Sequence, residues 1–221
     1  MSAQSARGLF RATGKSSTHI VQTGKGAFER TDRIERETDD FYPTPSEVTR
    51  AFLSAEGGRL LDLGLVWEPA CGDGAMSREI EAFGLSVVKT DLVDRGCADA
   101  EIANFYDYRT ALAPAIVTNP PYCEVNARDG KGRWLEHSLS IGAEYVALFL
   151  NWDWPAAAGL AGLLAKHPIS RAYVCRWKVD FTGKGSPPQR NGWFIWDANW
   201  LHETAFRFLD RSDGRQKEMD L

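Results

Sequence analysis

Short apolar runs alternate with helical stretches along most of this chain of 221 residues. Continuous runs of branched and aromatic residues predict buried strands, whereas apolar positions that recur every three to four residues predict helices. The sequence predicts strands at 65–67, 85–90, 115–118, 145–150, 172–179 and 193–196. It predicts helices between them at 75–83, 134–141 and 155–165. Such alternation is typical of an α/β fold in which helices cover both faces of a mainly parallel sheet.

A helix is also predicted ahead of the first strand. Thr44-Pro45-Ser46-Glu47 has the pattern of a capping box with proline at the first helical position. Apolar residues then recur at helical spacing, and Gly57-Gly58 is expected to end the helix. In a fold of this kind ligands bind at the carboxyl ends of the strands, so the turns after the strands are the expected site of chemistry.

Charge is distributed unevenly along the chain. Residues 1–38 lack apolar periodicity and hold seven basic against four acidic residues, so they are predicted to form a flexible basic arm. Residues 39–210 form the predicted domain and residues 211–221 a polar tail. The chain beyond residue 38 carries a net charge of −7, so any contact with nucleic acid is expected to be local. The stretch 166–190 fits, with six basic residues, one acid and interleaved aromatic residues.

Composition excludes several classes of protein. The chain is 43% hydrophobic and 25% charged, which rules out disorder throughout. No apolar run approaches the roughly 18 residues that cross a bilayer and no signal-peptide core is present, so we expect a cytoplasmic protein without membrane contact. The four Cys and four His are dispersed, and neither a disulfide framework nor a metal site is expected.

A glycine-containing loop stands where the first predicted strand turns into a helix. Gly72 and Gly74 let the backbone approach a ligand closely. Asp91 ends the second predicted strand, where a carboxylate meets ribose hydroxyls in nucleotide-binding α/β folds. A dinucleotide fingerprint would carry a third glycine where this chain has Ser77. The loop therefore suits a nucleoside cofactor without phosphates.

The segment Asn119-Pro120-Pro121-Tyr122 directly follows the predicted strand at 115–118. Two prolines fix the turn and direct its carbonyl groups. The Asn119 amide oxygen and the flat Tyr122 ring complete a small acceptor-rich cradle that can hold a planar NH2 group. Alternatively, the segment is a stiff turn without a binding role. The position of the segment, after a strand and downstream of the glycine loop, favours the cradle.

Three segments and one single residue follow one another along the chain: Phe41-Tyr42-Pro43-Thr44-Pro45, Glu68-Pro69-Ala70-Cys71-Gly72-Asp73-Gly74, Asp91 and Asn119-Pro120-Pro121-Tyr122. This set resembles the S-adenosylmethionine-dependent amino methyltransferases, closest to small DNA N6-adenine methyltransferases of phages and prophages. The resemblance spans residues 41 to about 200. It implies a single Rossmann-like class I methyltransferase domain with a seven-stranded sheet.

The resemblance also implies a set of site residues. Catalysis falls to Asn119, Pro120, Pro121 and Tyr122. S-adenosylmethionine is expected to contact Phe41, Tyr42, Thr44, Pro45, Glu68, Ala70, Gly72, Gly74, Asp91, Leu92, Asn104, Phe105 and Asn119. Of these, Glu68 and the glycines would cradle the methionine end and Asp91 the ribose. Asn104 departs from the family, which usually carries Asp there, so the contact to the cofactor's adenine falls to Asn104 or to Asp99.

The cradle implies a mechanism without a covalent enzyme intermediate. The Asn119 amide oxygen and the Pro120 carbonyl would accept both hydrogens of the adenine amine and localise its lone pair toward the methyl group. Tyr122 would stack on a base flipped out of the duplex, and Phe181 is expected on its other face. Arg176, Lys178, Lys184 and Arg190 would contact phosphates or are solvated surface charges.

Other functions remain open at this stage. The connections after the cradle are short, so weak or very short sequence specificity is predicted. Because the cradle recognises an amide-like NH2, the substrate could instead be a base in RNA or a protein glutamine. A non-catalytic, cofactor-binding subunit is a further alternative, although such a subunit would have no need of the intact cradle.

Overall fold

The computed structural model describes residues 20–23, 27–30, 43–181 and 189–211. The chain divides into two compact units, Met1–Thr38 and Asp39–Leu221. In the first unit, strands β1 (Ile20–Thr23) and β2 (Ala27–Arg30) pair antiparallel. They fall within the segment interpreted as an arm. The flexible arm and the polar tail stay predictions.

The described part of the second unit holds an eight-stranded sheet. Its strands are β3 (Leu65–Glu68), β4 (Ser86–Asp91), β5 (Glu101–Ile102), β6 (Ala115–Thr118), β7 (Tyr145–Asn151), β8 (Arg171–Cys175), β9 (Asn191–Asp197) and β10 (Ala205–Leu209). Their order across the sheet is β10-β8-β9-β7-β6-β3-β4-β5. β9 runs antiparallel to β7 and β8, whereas all other neighbours in the sheet are parallel. The predicted α/β fold with a mainly parallel sheet is thus confirmed.

The sheet has eight strands where seven were expected. No strand was predicted at β5 or at β10. β5 is two residues long and exposed. β10 lies at the edge of the sheet with its three central residues exposed, so it lacks the continuous apolar run by which buried strands are identified.

Five α-helices accompany the sheet in the described residues: α1 (Ser46–Leu63), α2 (Ala75–Ala82), α3 (Tyr122–Val125), α4 (Arg133–Ser140) and α5 (Ala161–Lys166). The continuous helix predicted at 155–165 is wrong. Two short 3-10 turns, Trp154–Ala156 and Ala158–Leu160, precede the shorter α5. None of the helices in the described part of the chain is long and apolar enough to span a bilayer.

Helix α1 differs from its prediction at both ends. Pro45 is its N-cap residue and no side chain caps it, so the capping box is wrong. The helix continues through Gly57 and ends at Gly64, whose φ is +78° and whose N–H donates to the Leu60 carbonyl at 3.0 Å. A Cβ at Gly57 would lie 2.3 Å from the Phe83 ring, so this glycine permits close packing instead of ending the helix.

Two apolar clusters form the core, one on each face of the sheet. The first packs α1 and α2 against the sheet around Phe52 and Phe149. The second packs α4 against the other face around Leu135 and Phe194. Because helices cover both faces of the central strands, a ligand is expected at the ends of these strands.

Candidate active site

The carboxyl ends of three neighbouring strands lie side by side at one end of the sheet. β3 ends at Glu68, β4 ends at Asp91, and β6 ends immediately before Asn119. These strands are parallel and lie side by side in the order β6-β3-β4. A cavity of about 240 Å³ opens between their ends. Its position is the one expected for a ligand in an open α/β sheet.

Most of the predicted cofactor and catalytic residues line this cavity. They are Thr44, Glu68, Ala70, Gly72, Asp91, Leu92, Asn104, Phe105, Asn119 and Pro121. Others lie in the same segments but outside the cavity wall: Pro45, Gly74, Pro120 and Tyr122. Phe41, Tyr42 and Lys184 lie outside the described residues. Asp99, the alternative to Asn104, does not line the cavity.

The loop after β3 is fixed by the carboxylate of Asp91. One carboxylate oxygen accepts from the Gly72 N–H at 2.7 Å and the other accepts from the Val93 N–H at 2.9 Å. Each oxygen retains a further acceptor site, because a carboxylate oxygen can take two hydrogen bonds. Asp91 therefore orients the loop and still presents acceptors to the cavity.

Gly74 has a packing role beside the cavity. Its φ is +79°, and a Cβ there would lie 2.7 Å from the sulfur of Cys97. Gly74 directly precedes α2, and its N–H donates to the Cys71 carbonyl at 2.8 Å. The glycine thus lets the chain turn tightly from the cavity wall into the helix.

Glu68 is a buried carboxyl group at the floor of the cavity. Glu68 is 2% exposed, and its carboxyl group accepts a hydrogen bond from the Ser77 hydroxyl. Burial raises the pKa of Glu68 to about 8. The group is therefore mostly neutral at pH 7, and a cation beside it would favour its ionisation.

Asn119 has one half of its amide anchored. Its Nδ2 donates to the Thr44 hydroxyl at 3.2 Å. Its Oδ1 is buried and has no hydrogen-bond partner among the described residues. A buried acceptor without a partner is costly unless a ligand supplies the donor. Asn119 thus brings an acceptor that no described residue satisfies to the wall of the cavity.

The proline turn, Asn119 to Pro121, leads into the short helix α3, which an ion pair holds in place. Pro121 is the N-cap of α3, and its carbonyl accepts from the Glu124 N–H at 2.9 Å. The Glu124 carboxylate accepts hydrogen bonds from Arg133 of α4 and from the Tyr106 hydroxyl, the latter at 2.6 Å. The Arg133 bonds lower the pKa of Glu124, which also lines the cavity.

Aromatic side chains form another wall of the cavity. Phe105 and Trp134 stack with ring centroids 4.2 Å apart, and both line the cavity. The indole N–H of Trp134 is buried without a partner among the described residues. Asn104 lies beside them, and its amide oxygen already accepts from the Tyr106 N–H at 3.0 Å. This wall suits a flat heteroaromatic ring.

The predicted substrate residues lie apart from the cavity wall. Tyr122 begins α3 and packs against the second apolar cluster. Phe181 is half-buried against the first cluster, with its ring 6.1 Å from that of Phe149. Arg176, Lys178 and Arg190 are exposed on the segments that follow β8 and precede β9. Their roles toward a substrate stay predictions.

Trp134, Glu124 and Tyr106 line the cavity and were not among the predicted site residues. Trp134 and Glu124 lie on helices after the proline turn, and they reach the cavity only through tertiary packing. Tyr106 directly follows the predicted pair Asn104 and Phe105, so a wider reading of that segment could have included it. The other two carry no local signal in the sequence.

No protein-family model matches the chain, and no curated protein matches it. Solved structures do match. One is a Pyrococcus horikoshii protein assigned as an RNA methyltransferase, with 12% identity, a TM-score of 0.56, and coverage of 72% of this chain and 88% of that one. Another, from Listeria monocytogenes, is assigned as a class I S-adenosylmethionine-dependent methyltransferase, with 11% identity, a TM-score of 0.53, and coverage of 75% and 65%.

A third is the methyltransferase subunit of a type I restriction-modification system from Streptococcus thermophilus, with 14% identity and a TM-score of 0.55. The match covers 76% of this chain and 47% of that subunit, so the chain corresponds to about half of its length. At these identities the likeness establishes the fold alone. The described domain therefore has the class I methyltransferase fold.

Proposed function

We propose that this protein transfers a methyl group from S-adenosylmethionine to the exocyclic amine of adenine in DNA, forming N6-methyladenine with weak or short sequence specificity. One observation carries the proposal. The Asn119 amide oxygen is a buried acceptor without a described partner, at the wall of a cavity that also holds Gly72 and Asp91. A bound amine would satisfy that acceptor.

The cavity residues fit the proposed cofactor. The Asp91 carboxylate retains acceptor sites for ribose hydroxyls, and the Phe105 and Trp134 wall accepts a flat base. Glu68, which also lines the cavity, would meet the ammonium group of the methionine end. When bound, S-adenosylmethionine supplies a methyl group on a positively charged sulfur. Its other groups need only acceptors, aromatic contact and room for the backbone, which these residues provide.

The reaction needs the enzyme to position and polarise an amine. Asn119, held by Thr44, would accept one amine hydrogen, and the Pro120 carbonyl would accept the other. Both bonds localise the nitrogen lone pair, and the rigid turn aims it. Pro121 and Tyr122 complete the turn, with Tyr122 as the stacking surface for the base. Phe181, Arg176, Lys178 and Arg190 belong to the proposed DNA contact.

Three observations bear on the substrate. The restriction-modification subunit among the structural neighbours favours DNA, as does the resemblance of the sequence to phage and prophage enzymes. The Pyrococcus neighbour favours a second candidate, methylation of a base amine in RNA. A protein glutamine presents the same NH2 group. A non-catalytic role is disfavoured because it leaves the buried Asn119 oxygen without a purpose.

The test offers isotope-labelled cofactor to DNA, RNA and a protein extract in parallel, and mass spectrometry identifies the product. We expect N6-methyladenine in DNA. Asn119→Ala should lower the transfer rate by about 100-fold or more while cofactor affinity stays near that of the wild type. Asn199→Ala, an exposed change in the turn after β9, is the matched control and should retain the full rate. Full activity in Asn119→Ala would refute the cradle, and label in RNA or protein alone would reassign the substrate.

A further inference from the structure

An aromatic surface is exposed at the edge of the sheet, on strand β10. Phe206 is 55% exposed and Phe208 is 51% exposed. They lie two residues apart, so both side chains point to the same face of the strand. Their ring centroids are 5.0 Å apart, and the Trp152 ring lies 5.4 Å from Phe206. We call Trp152, Phe206 and Phe208 the aromatic strip.

The aromatic strip has short side chains beside it on the neighbouring strands. Phe206 pairs with Ala172 and Phe208 with Val174 of the neighbouring strand β8. Trp152 covers Gly192 of β9, where a Cβ would lie 2.6 Å from the indole ring. Trp152 also stacks on the buried ring of Phe194, at 5.3 Å. The strip is therefore supported by the core and is fixed in place.

The aromatic strip begins next to the candidate active site. β7 is the neighbour of β6, the strand that ends before Asn119. Thr118 pairs with Leu148, and β7 continues from there to Asn151, so Trp152 follows directly from the projecting end of β7. From Trp152 the strip crosses β9 and β8 to reach the edge strand β10. The strip thus leads from the end of β7, the neighbour of the strand that precedes Asn119, to the outer strand of the sheet.

Cations accompany the aromatic strip in a chain that is otherwise acidic. The Arg176 guanidinium lies 4.3 Å from the centre of the Phe208 ring and pairs with Asp210 at 3.3 Å. The Arg190 carbonyl accepts from the Trp152 N–H at 2.8 Å. Lys178 follows Arg176 by two residues; Lys178 and Arg190 are exposed, and neither has an ion-pair partner within residues 43–181 and 189–211. The region thus offers aromatic rings together with positive charges that no described acidic residue neutralises, apart from the Arg176 pair with Asp210.

We propose that the aromatic strip docks an unpaired stretch of the DNA substrate, with bases stacked on Phe206 and Phe208 and phosphates near Lys178 and Arg190. This inference rests on the proposed function. Aromatic rings flanked by cations bind single strands because each base offers a flat face and each linkage a negative charge. A second copy of the chain is a poorer occupant, because a two-fold contact would bring the same cations of both copies together.

The test compares two variants with the wild-type protein by fluorescence anisotropy. Phe206→Leu/Phe208→Leu keeps an apolar side chain at both positions and removes the stacking surface. Its affinity for a labelled single-stranded oligothymidylate should fall roughly 10- to 100-fold, and its affinity for a blunt duplex should change much less. Leu201→Ala, at a side chain 90% exposed ahead of β10, is the control and should bind like wild type.

Three results would overturn the proposal. The first is unchanged binding of the oligothymidylate by the double leucine variant, and the second is an equal loss on single strand and duplex. The third is a sedimentation change from dimer to monomer with unaltered oligonucleotide affinity, which would assign the strip to a second copy. Failure of the proposed function appears separately, as absent methyl transfer in the wild-type protein, because oligonucleotide binding is measured without transfer.

Discussion

The protonation state of the Glu68 carboxyl group affects how the cavity binds a charged ligand. Its carboxyl is buried at the end of β3, and burial raises its pKa to about 8. In the proposed function this group meets the cofactor's ammonium, which is best bound by the ionised form. Binding below pH 8 therefore requires the carboxyl to release its proton, and this cost grows as the pH falls.

Cofactor affinity should consequently depend on pH through Glu68. We expect the affinity to rise by up to about tenfold per pH unit from about pH 6 and to level off above the pKa of about 8. Glu68→Gln keeps an acceptor for the Ser77 hydroxyl but cannot ionise, so its affinity should be weaker and nearly independent of pH. Calorimetry across this range, with the exposed change Glu101→Gln as control, checks the prediction. A flat wild-type profile would contradict it.

How far the site follows from sequence is clear from individual residues. Gly72, Asp91 and Asn119 could be placed at strand ends because an apolar run followed by a turn is a local pattern. The bond that holds Asn119 could not be predicted from a local pattern. Thr44 meets Asn119 across 75 positions of sequence, and the bond exists only after the segment before α1 meets the turn after β6.

At the scale of elements, the amino end of α1 and the proline turn depend on each other. The Thr44 hydroxyl was expected to cap α1, but it accepts from the Asn119 amide instead. The same local pattern that suggested a cap thus serves a tertiary contact. By this bond the start of α1 sets which atom of Asn119 faces the cavity.

Removing the Thr44 hydroxyl should therefore affect transfer more than binding. Thr44→Val keeps the shape of the side chain and deletes the acceptor, so Asn119 can rotate and the transfer rate should fall about tenfold or more. Thr44→Ser retains the hydroxyl and should restore most of the rate. Single-turnover kinetics at saturating cofactor measure the effect, and cofactor affinity measured in parallel separates a loss of binding from a loss of transfer. A Val variant with the wild-type rate would remove Thr44 from this role.

The elements themselves were predictable to different degrees. Buried strands such as β6 and β7 are nearly continuous apolar runs, so the local sequence pattern alone predicts them. β10 was not predicted because Arg207 interrupts its short apolar run at an exposed outer strand of the sheet. The segment 155–165 is rich in Ala and Leu, yet it folds as 3-10 turns before α5, because tertiary packing overrides helix propensity.

At the scale of the whole molecule, a buried charge cluster joins α1 to the sheet at the ends of the strands opposite the candidate active site. Arg171, at the start of β8, donates two bonds of 2.8 Å to Glu56 of α1 and one of 2.9 Å to Asp197 of β9. The hydroxyls of Tyr145 and Tyr173 also donate to Glu56, at 3.0 and 2.6 Å. These bonds hold α1 to three strands, so the cluster stabilises the frame on which the distant cavity depends.

Breaking this cluster should destabilise the fold without changing the chemistry of the cavity. Arg171→Met leaves the buried Glu56 without its cation, a change that costs about 3–5 kcal/mol. Arg176→Met, which breaks the exposed pair with Asp210, should cost less than about 1 kcal/mol. Urea unfolding followed by circular dichroism measures both. The pairing of Glu56→Gln with Arg171→Met should recover part of the loss, because the uncompensated charge is then absent. Equal stability of Arg171→Met and the wild-type protein would show that the cluster adds nothing to the frame.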